Sequence, residues 1–107
     1  MTGIPDVVSR YYSAAASGGI DDVLACFTHD AHVRDEQRDY HGLEEIRSWR
    51  EGVATRFTYT TEITGADVEG SGTHVVHTHL EGDFPGGVVD LAQRFTVADG
   101  LISELLI

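Results

Sequence analysis

The chain has 107 residues, enough for one domain around one hydrophobic core and too few for two. Its 41% hydrophobic content predicts a folded chain, and 18 acidic residues against 7 Lys and Arg, a net charge of −11, argue against nucleic acid as a partner. There is no basic amphipathic helix for an anionic membrane surface, no apolar run of membrane-spanning length, and no signal-peptide pattern in the first residues.

Residues 5–17 predict a helix: Pro5 suits a first turn, Asp6 complements the positive helix end, and Ile4, Val7, Val8, Tyr11 and Ala15 recur at helical spacing. Gly18-Gly19 stops it. A shorter helix over 20–27 follows, with Asp21 and Asp22 in its first turn and Ile20, Val23, Leu24 and Phe27 as its apolar set. The alternating run Ala31-His32-Val33-Arg34-Asp35 predicts a strand with Ala31, Val33 and Asp35 on one face. Residues 36–42 are polar and read as a loop. A third helix spans 43–53, with Leu43, Ile46, Trp49, Arg50 and Val53 on one side.

After Ala54 the period changes from helical to alternating. Phe57, Tyr59, Thr61 and Ile63 share a strand face, and a turn falls around Glu69-Gly70-Ser71-Gly72. Residues 73–83 form a second strand of this series, and Asp83-Phe84-Pro85-Gly86-Gly87 is a turn. In residues 88–97, Val89, Leu91, Gln93, Phe95 and Val97 face one way. Asp99-Gly100 is a hairpin dipeptide before the last strand, 101–107. Helices with one early strand, then four strands in a meander, define an α+β fold. Long strands curled around helices predict a cone-shaped barrel with an internal pocket.

Asp35 carries the chemistry. A carboxylate on the apolar face of a strand is costly to bury unless it is paired, hydrogen-bonded or protonated, which makes it a candidate for acid–base work. The competing reading is a strand-end Asp turned to solvent. Cys26 allows no internal disulfide, which suits a reducing cytoplasm, and its place on a short amphipathic segment predicts a buried, inert thiol. No GxSxG elbow, phosphate loop or dinucleotide fingerprint is present. Among the six histidines, His77 and His79 share a face at i, i+2, too few ligands for a metal without a supporting cluster, so neither metal nor cofactor is expected.

The order of elements resembles the nuclear-transport-factor-2-like superfamily, in particular its SnoaL-like and ketosteroid-isomerase-like branch. The matching text runs from Val7-Val8-Ser9-Arg10-Tyr11-Tyr12 through Ile20-Asp21-Asp22-Val23-Leu24-Ala25-Cys26-Phe27-Thr28-His29-Asp30-Ala31. It continues with Val33-Arg34-Asp35 and Gly42-Leu43-Glu44-Glu45-Ile46-Arg47-Ser48-Trp49. The resemblance implies that Asp35 moves a proton next to a carbonyl and that Tyr11, with Tyr12 adjacent, donates to the developing enolate oxygen. Gln93 stands where such enzymes carry a second, protonated acid, a weaker donor that disfavours steroid isomerisation itself. Trp49, Phe57, Tyr59, Val76, Leu80 and Leu91 would wall the pocket, and His41 would reach its mouth. The epoxide-hydrolase branch needs two acids and an arginine inside the pocket, and Arg94 points outward. The outer sheet face, with Val75, His77, His79, Val88, Ala92 and Thr96, suits a homodimer.

The expected function is a small cofactor-independent isomerase, cyclase or dehydratase acting on an apolar carbonyl compound such as a polyketide or steroid. The alternatives are a non-catalytic module binding an apolar ligand or partner protein, and a structural dimerisation domain whose pocket is filled by its own side chains.

Overall fold

The computed structural model describes residues 4–17, 19–70 and 72–107, so Gly18 and Ser71 of the expected helix stop and turn lie outside the described residues. Helix α1 (Asp6–Ser17) opens at Pro5, whose carbonyl accepts the N–H groups of Val8 and Ser9. Its buried stripe is Val7, Val8, Tyr11 and Ala14; the expected Ala15 gives way to Ala14, three residues beyond Tyr11. Helix α2 is short, Ile20–Leu24, and Phe27 opens strand β1 (Phe27–Asp35) instead of closing the helix. The early part of β1 escapes an alternation reading because its register against the neighbouring strand shifts between Phe27 and His32.

Residues 36–42 are not a loop. Strand β2 (Arg38–His41) pairs antiparallel with β1, joining Asp35 to Arg38 across a two-residue turn. That turn places Glu36 at φ 53° and Gln37 at φ 66°. Both central residues of such a turn need positive φ, normally supplied by Asn-Gly or Asp-Gly, so Glu-Gln gives no sequence signal for it. Helix α3 (Gly42–Arg56) follows directly, with Glu44 and Glu45 in its first turn and Arg56 in its last, complementing the helix dipole. It buries Ile46, Trp49, Arg50 and Val53.

The meander comprises β3 (Tyr59–Glu69), β4 (Thr73–Gly82), β5 (Val88–Ala98) and β6 (Leu101–Leu106). The six strands form one curved open sheet in the order β2-β1-β6-β5-β4-β3, with β1 parallel to β6 and every other pair antiparallel. The β5–β6 hairpin turns on Asp99 and Gly100, at φ 54° and 78°, as the dipeptide predicts. Register across β4 and β5 pairs Val76 with Gln93, Thr78 with Leu91 and Leu80 with Val89, and these face inward. His77 pairs with Ala92 and His79 with Asp90 on the outer face. The core lies between the inner sheet face and the helices, where Val8, Val33, Ile46, Val76, Phe95, Ile102 and Leu105 are fully enclosed. Val75 belongs to the outer set but is only 7% exposed, so it has little surface to offer a partner.

Candidate active site

Asp35 ends β1 on the inner face and is half-buried. Its Oδ2 accepts the indole N–H of Trp49 at 3.0 Å. Trp49, buried on α3, is therefore more than a wall: it fixes the direction of the carboxylate. The next residue, Arg50, lies with its guanidinium carbon 5.2 Å from the centre of the Trp49 ring. Arg50 is only 8% exposed, and both terminal nitrogens approach the Tyr59 hydroxyl at 3.4 Å, beyond the usual range for such bonds. Burial works against the Arg50 charge, but the neighbouring oxygens of Tyr11, Tyr59 and Asp35 outweigh it and raise its already high pKa. The interior therefore holds a fixed cation.

Tyr11 is 3% exposed and packs edge-on against Tyr12, Phe27 and Phe95. Its hydroxyl makes no hydrogen bond with any described residue. Burial, partly offset by the Arg50 cation, pushes the phenol up to about 12, so it remains a donor at any physiological pH. The Tyr12 hydroxyl, by contrast, is engaged: it donates to Gln93 Oε1. Gln93 is buried on β5, and its amide N–H groups find no acceptor among the described residues. Gln93 is 7% exposed, so this amide edge still reaches solvent and is free to donate to a ligand.

The structure thus gathers Asp35, Trp49, Arg50, Tyr59 and Tyr11, with the Tyr12–Gln93 pair against the same aromatic cluster through Tyr11 and Phe95. Val76 is fully buried, Leu80 nearly so, and Leu91 half-buried on the inner face. Two expected residues lie elsewhere. Phe57 precedes β3 and packs on Phe84, beneath Arg56. His41 is the cross-strand partner of His32 and stacks on it with ring centres 4.6 Å apart, so it faces outward with His32 and not toward Asp35. An open depression of about 840 Å³ lies beside it, lined by Tyr40, His41, Glu44 and Ser48 among others.

Arg94 does point outward, paired with Glu69 at 3.2 Å, while Arg50, read from the sequence on the apolar side of the third helix, is the arginine that enters the interior. A second interior acid is not found among the described residues, whose buried polar side chains are Arg50, Thr78 and Gln93. The signal for Arg50 was available: a guanidinium four residues beyond Ile46 and three before Val53 on an apolar stripe is the same anomaly as Asp35 on an apolar strand face.

A curved sheet closed by helices over a half-buried carboxylate and unpartnered donors defines an α+β fold of the ketosteroid-isomerase-like type. Residues 8–105 match the SnoaL-like domain, and the chain belongs to that family. Protein SMa1630 of Sinorhizobium meliloti, provisionally named a polyketide cyclase, is 31% identical with a TM-score of 0.91 over 96% of this chain and 94% of its own. The Δ5-3-ketosteroid isomerase of a Mycobacterium species shares the fold at 18% identity, with a TM-score of 0.78 over 94% of this chain and 87% of its own. So does SalBIII, an epoxide hydrolase/cyclase-like enzyme of pyran-ring formation in salinomycin, at 19% identity, with a TM-score of 0.78 over 94% and 85%. No curated protein matches the sequence. No described helix is long and apolar enough to cross a membrane.

Proposed function

We propose that this protein is a cofactor-independent enzyme that moves a proton on an apolar carbonyl compound, in an isomerisation, cyclisation or dehydration. The observation that carries this reading is the Tyr11 hydroxyl, a permanent donor on a side chain only 3% exposed, with no acceptor among the described residues. Asp35 uses Oδ2 to hold the Trp49 N–H. Its other oxygen takes the proton from the carbon next to the carbonyl. The C–H electron pair moves into the new C=C bond, the carbonyl π pair moves onto oxygen, and Tyr11 O–H and Gln93 N–H hold that oxygen. Asp35 then returns the proton to a different atom. Each donor aimed at an oxyanion contributes about 10²–10³ in rate, and a positioned base about 10²–10⁴.

The test is deuterium exchange next to the carbonyl of 2-tetralone, an apolar enolisable ketone, followed by NMR. The wild type is expected to accelerate exchange, Asp35→Asn to lose at least about 10²-fold of that rate, and Tyr11→Phe about 10-fold or more. Exchange that Asp35→Asn leaves unchanged rules the mechanism out. Tetralone binding without exchange in the wild type supports the alternative, a module that only binds an apolar ligand. We also propose that the outer sheet face joins two copies, since Val88 and Ala92 are exposed there. Sedimentation of Val88→Asp as a monomer, against a wild-type dimer, is the expected result.

A further inference from the structure

Arg50 is the one buried arginine among the described residues; the other six lie at the surface, where water solvates the charge with or without a carboxylate beside it. Arg34, Arg47 and Arg94, all exposed to solvent, lie 3.7, 2.9 and 3.2 Å from the carboxylates of Asp39, Asp21 and Glu69. Arg50, more than nine-tenths buried, has no carboxylate within 4.0 Å among the described residues. A buried guanidinium cannot shed its proton, and a buried charge without a counter-ion is costly. Asp35 is close enough to favour the Arg50 charge but does not pair with it. Trp49 keeps them apart, giving its N–H to Asp35 and its ring face to Arg50.

The fork of Arg50 is also incompletely used. Both terminal nitrogens converge on one neutral oxygen, Tyr59 Oη, at 3.4 Å. That edge is the one a carboxylate fits with two parallel N–H···O bonds. We infer that Arg50 is an anion-binding group of the interior site and that the substrate is a carbonyl compound carrying a carboxylate. This rests on the reading of the interior as a ligand site. The carboxylate binds on the Tyr59 side of Arg50, and like-charge repulsion keeps it from Asp35. The reactive carbon is thereby turned toward Asp35, with its carbonyl oxygen toward Tyr11 and Gln93. Tyr59 changes from a poor partner of Arg50 to a second donor for the bound anion.

The test compares 4-oxo-4-phenylbutanoate with its primary amide, the same ketone with and without the charge, by isothermal titration calorimetry. The wild type is expected to bind the carboxylate at least about tenfold more tightly than the amide. Arg50→Gln should abolish that preference while leaving amide affinity within about threefold. Equal affinities in the wild type overturn the inference, as does a preference that survives in Arg50→Gln, or carboxylate binding weaker than about 1 mM. If Arg50→Gln does not fold, Arg50→Lys replaces it: the charge stays, the fork is lost, and a preference reduced by less than about threefold overturns the inference. Exchange of 2-tetralone separates this result from the proton-transfer reading. Exchange without a charge preference defeats the Arg50 inference alone, and a charge preference without exchange defeats proton transfer alone.

Discussion

Trp49 is where residue-level chemistry departs most from what its type suggests. A tryptophan on an apolar helix stripe is ordinarily core, and its burial here fits that. Its N–H, however, donates to Asp35 at 3.0 Å, and its face carries Arg50. Trp49→Phe keeps a ring for packing and deletes the donor. A hydrogen bond to a charged group contributes about 1.5–3 kcal/mol, so urea unfolding should show a stability loss toward the lower end of that range, because Asp35 is only half-buried. Ketone exchange should slow through kcat with KM nearly unchanged, since the carboxylate loses its aim while the donors to oxygen stay in place. Unchanged kcat would reduce Trp49 to packing. Asp35 was legible from strand alternation because its face is fixed by period. The Trp49 contact was not, because it joins residues on two elements whose relative placement no local pattern encodes.

At the scale of elements, the turn between β1 and β2 decides where Asp35 ends. Glu36 and Gln37 both hold left-handed backbone, at φ 53° and 66°. A residue with a Cβ pays about 1–2 kcal/mol to sit there, while glycine loses about 0.5–1 kcal/mol of that advantage to chain entropy. Gln37→Gly is therefore expected to stabilise the fold by about 0.5–1 kcal/mol, read as a raised urea midpoint with an unchanged slope. A lowered midpoint would mean that the Gln37 side chain contributes more than its backbone costs. The helices and the four later strands were legible because apolar period and glycine turn signals agree over long segments. Strand β2 was not: four residues behind a turn without glycine or asparagine look like any polar loop, and only pairing with β1 makes them a strand. His41, assigned to the pocket mouth on the loop reading, turns outward for the same reason.

Across the whole molecule the net charge of −11 sets the background, and the histidines are arranged against it. The sequence placed His77 and His79 on one outer face but could not supply their partners, which register brings from neighbouring strands. His77 meets Asp67 at 3.0 Å, and His79 meets Asp90 at 2.7 Å and Glu81 at 2.9 Å. His32 spans three strands, with Nδ1 3.0 Å from Glu104 on β6 and Nε2 2.7 Å from Asp39 on β2. Its hydrogen bonds to Glu104 and Asp39 raise its pKa, and those of His79 to Asp90 and Glu81 do the same. A histidine whose folded pKa lies above its unfolded value stabilises the fold fully below about pH 6.5, and that contribution fades as pH rises through the folded value. The wild type should therefore lose stability as pH rises from about 6.5, the unfolded value, through the raised folded values. His32→Gln should be clearly less stable than wild type at the acidic end and close to it at the alkaline end. Urea midpoints of both proteins across that range measure the effect, and a gap that widens with rising pH would show that His32 acts in the fold as a neutral ring and not as the cation joining β2, β1 and β6.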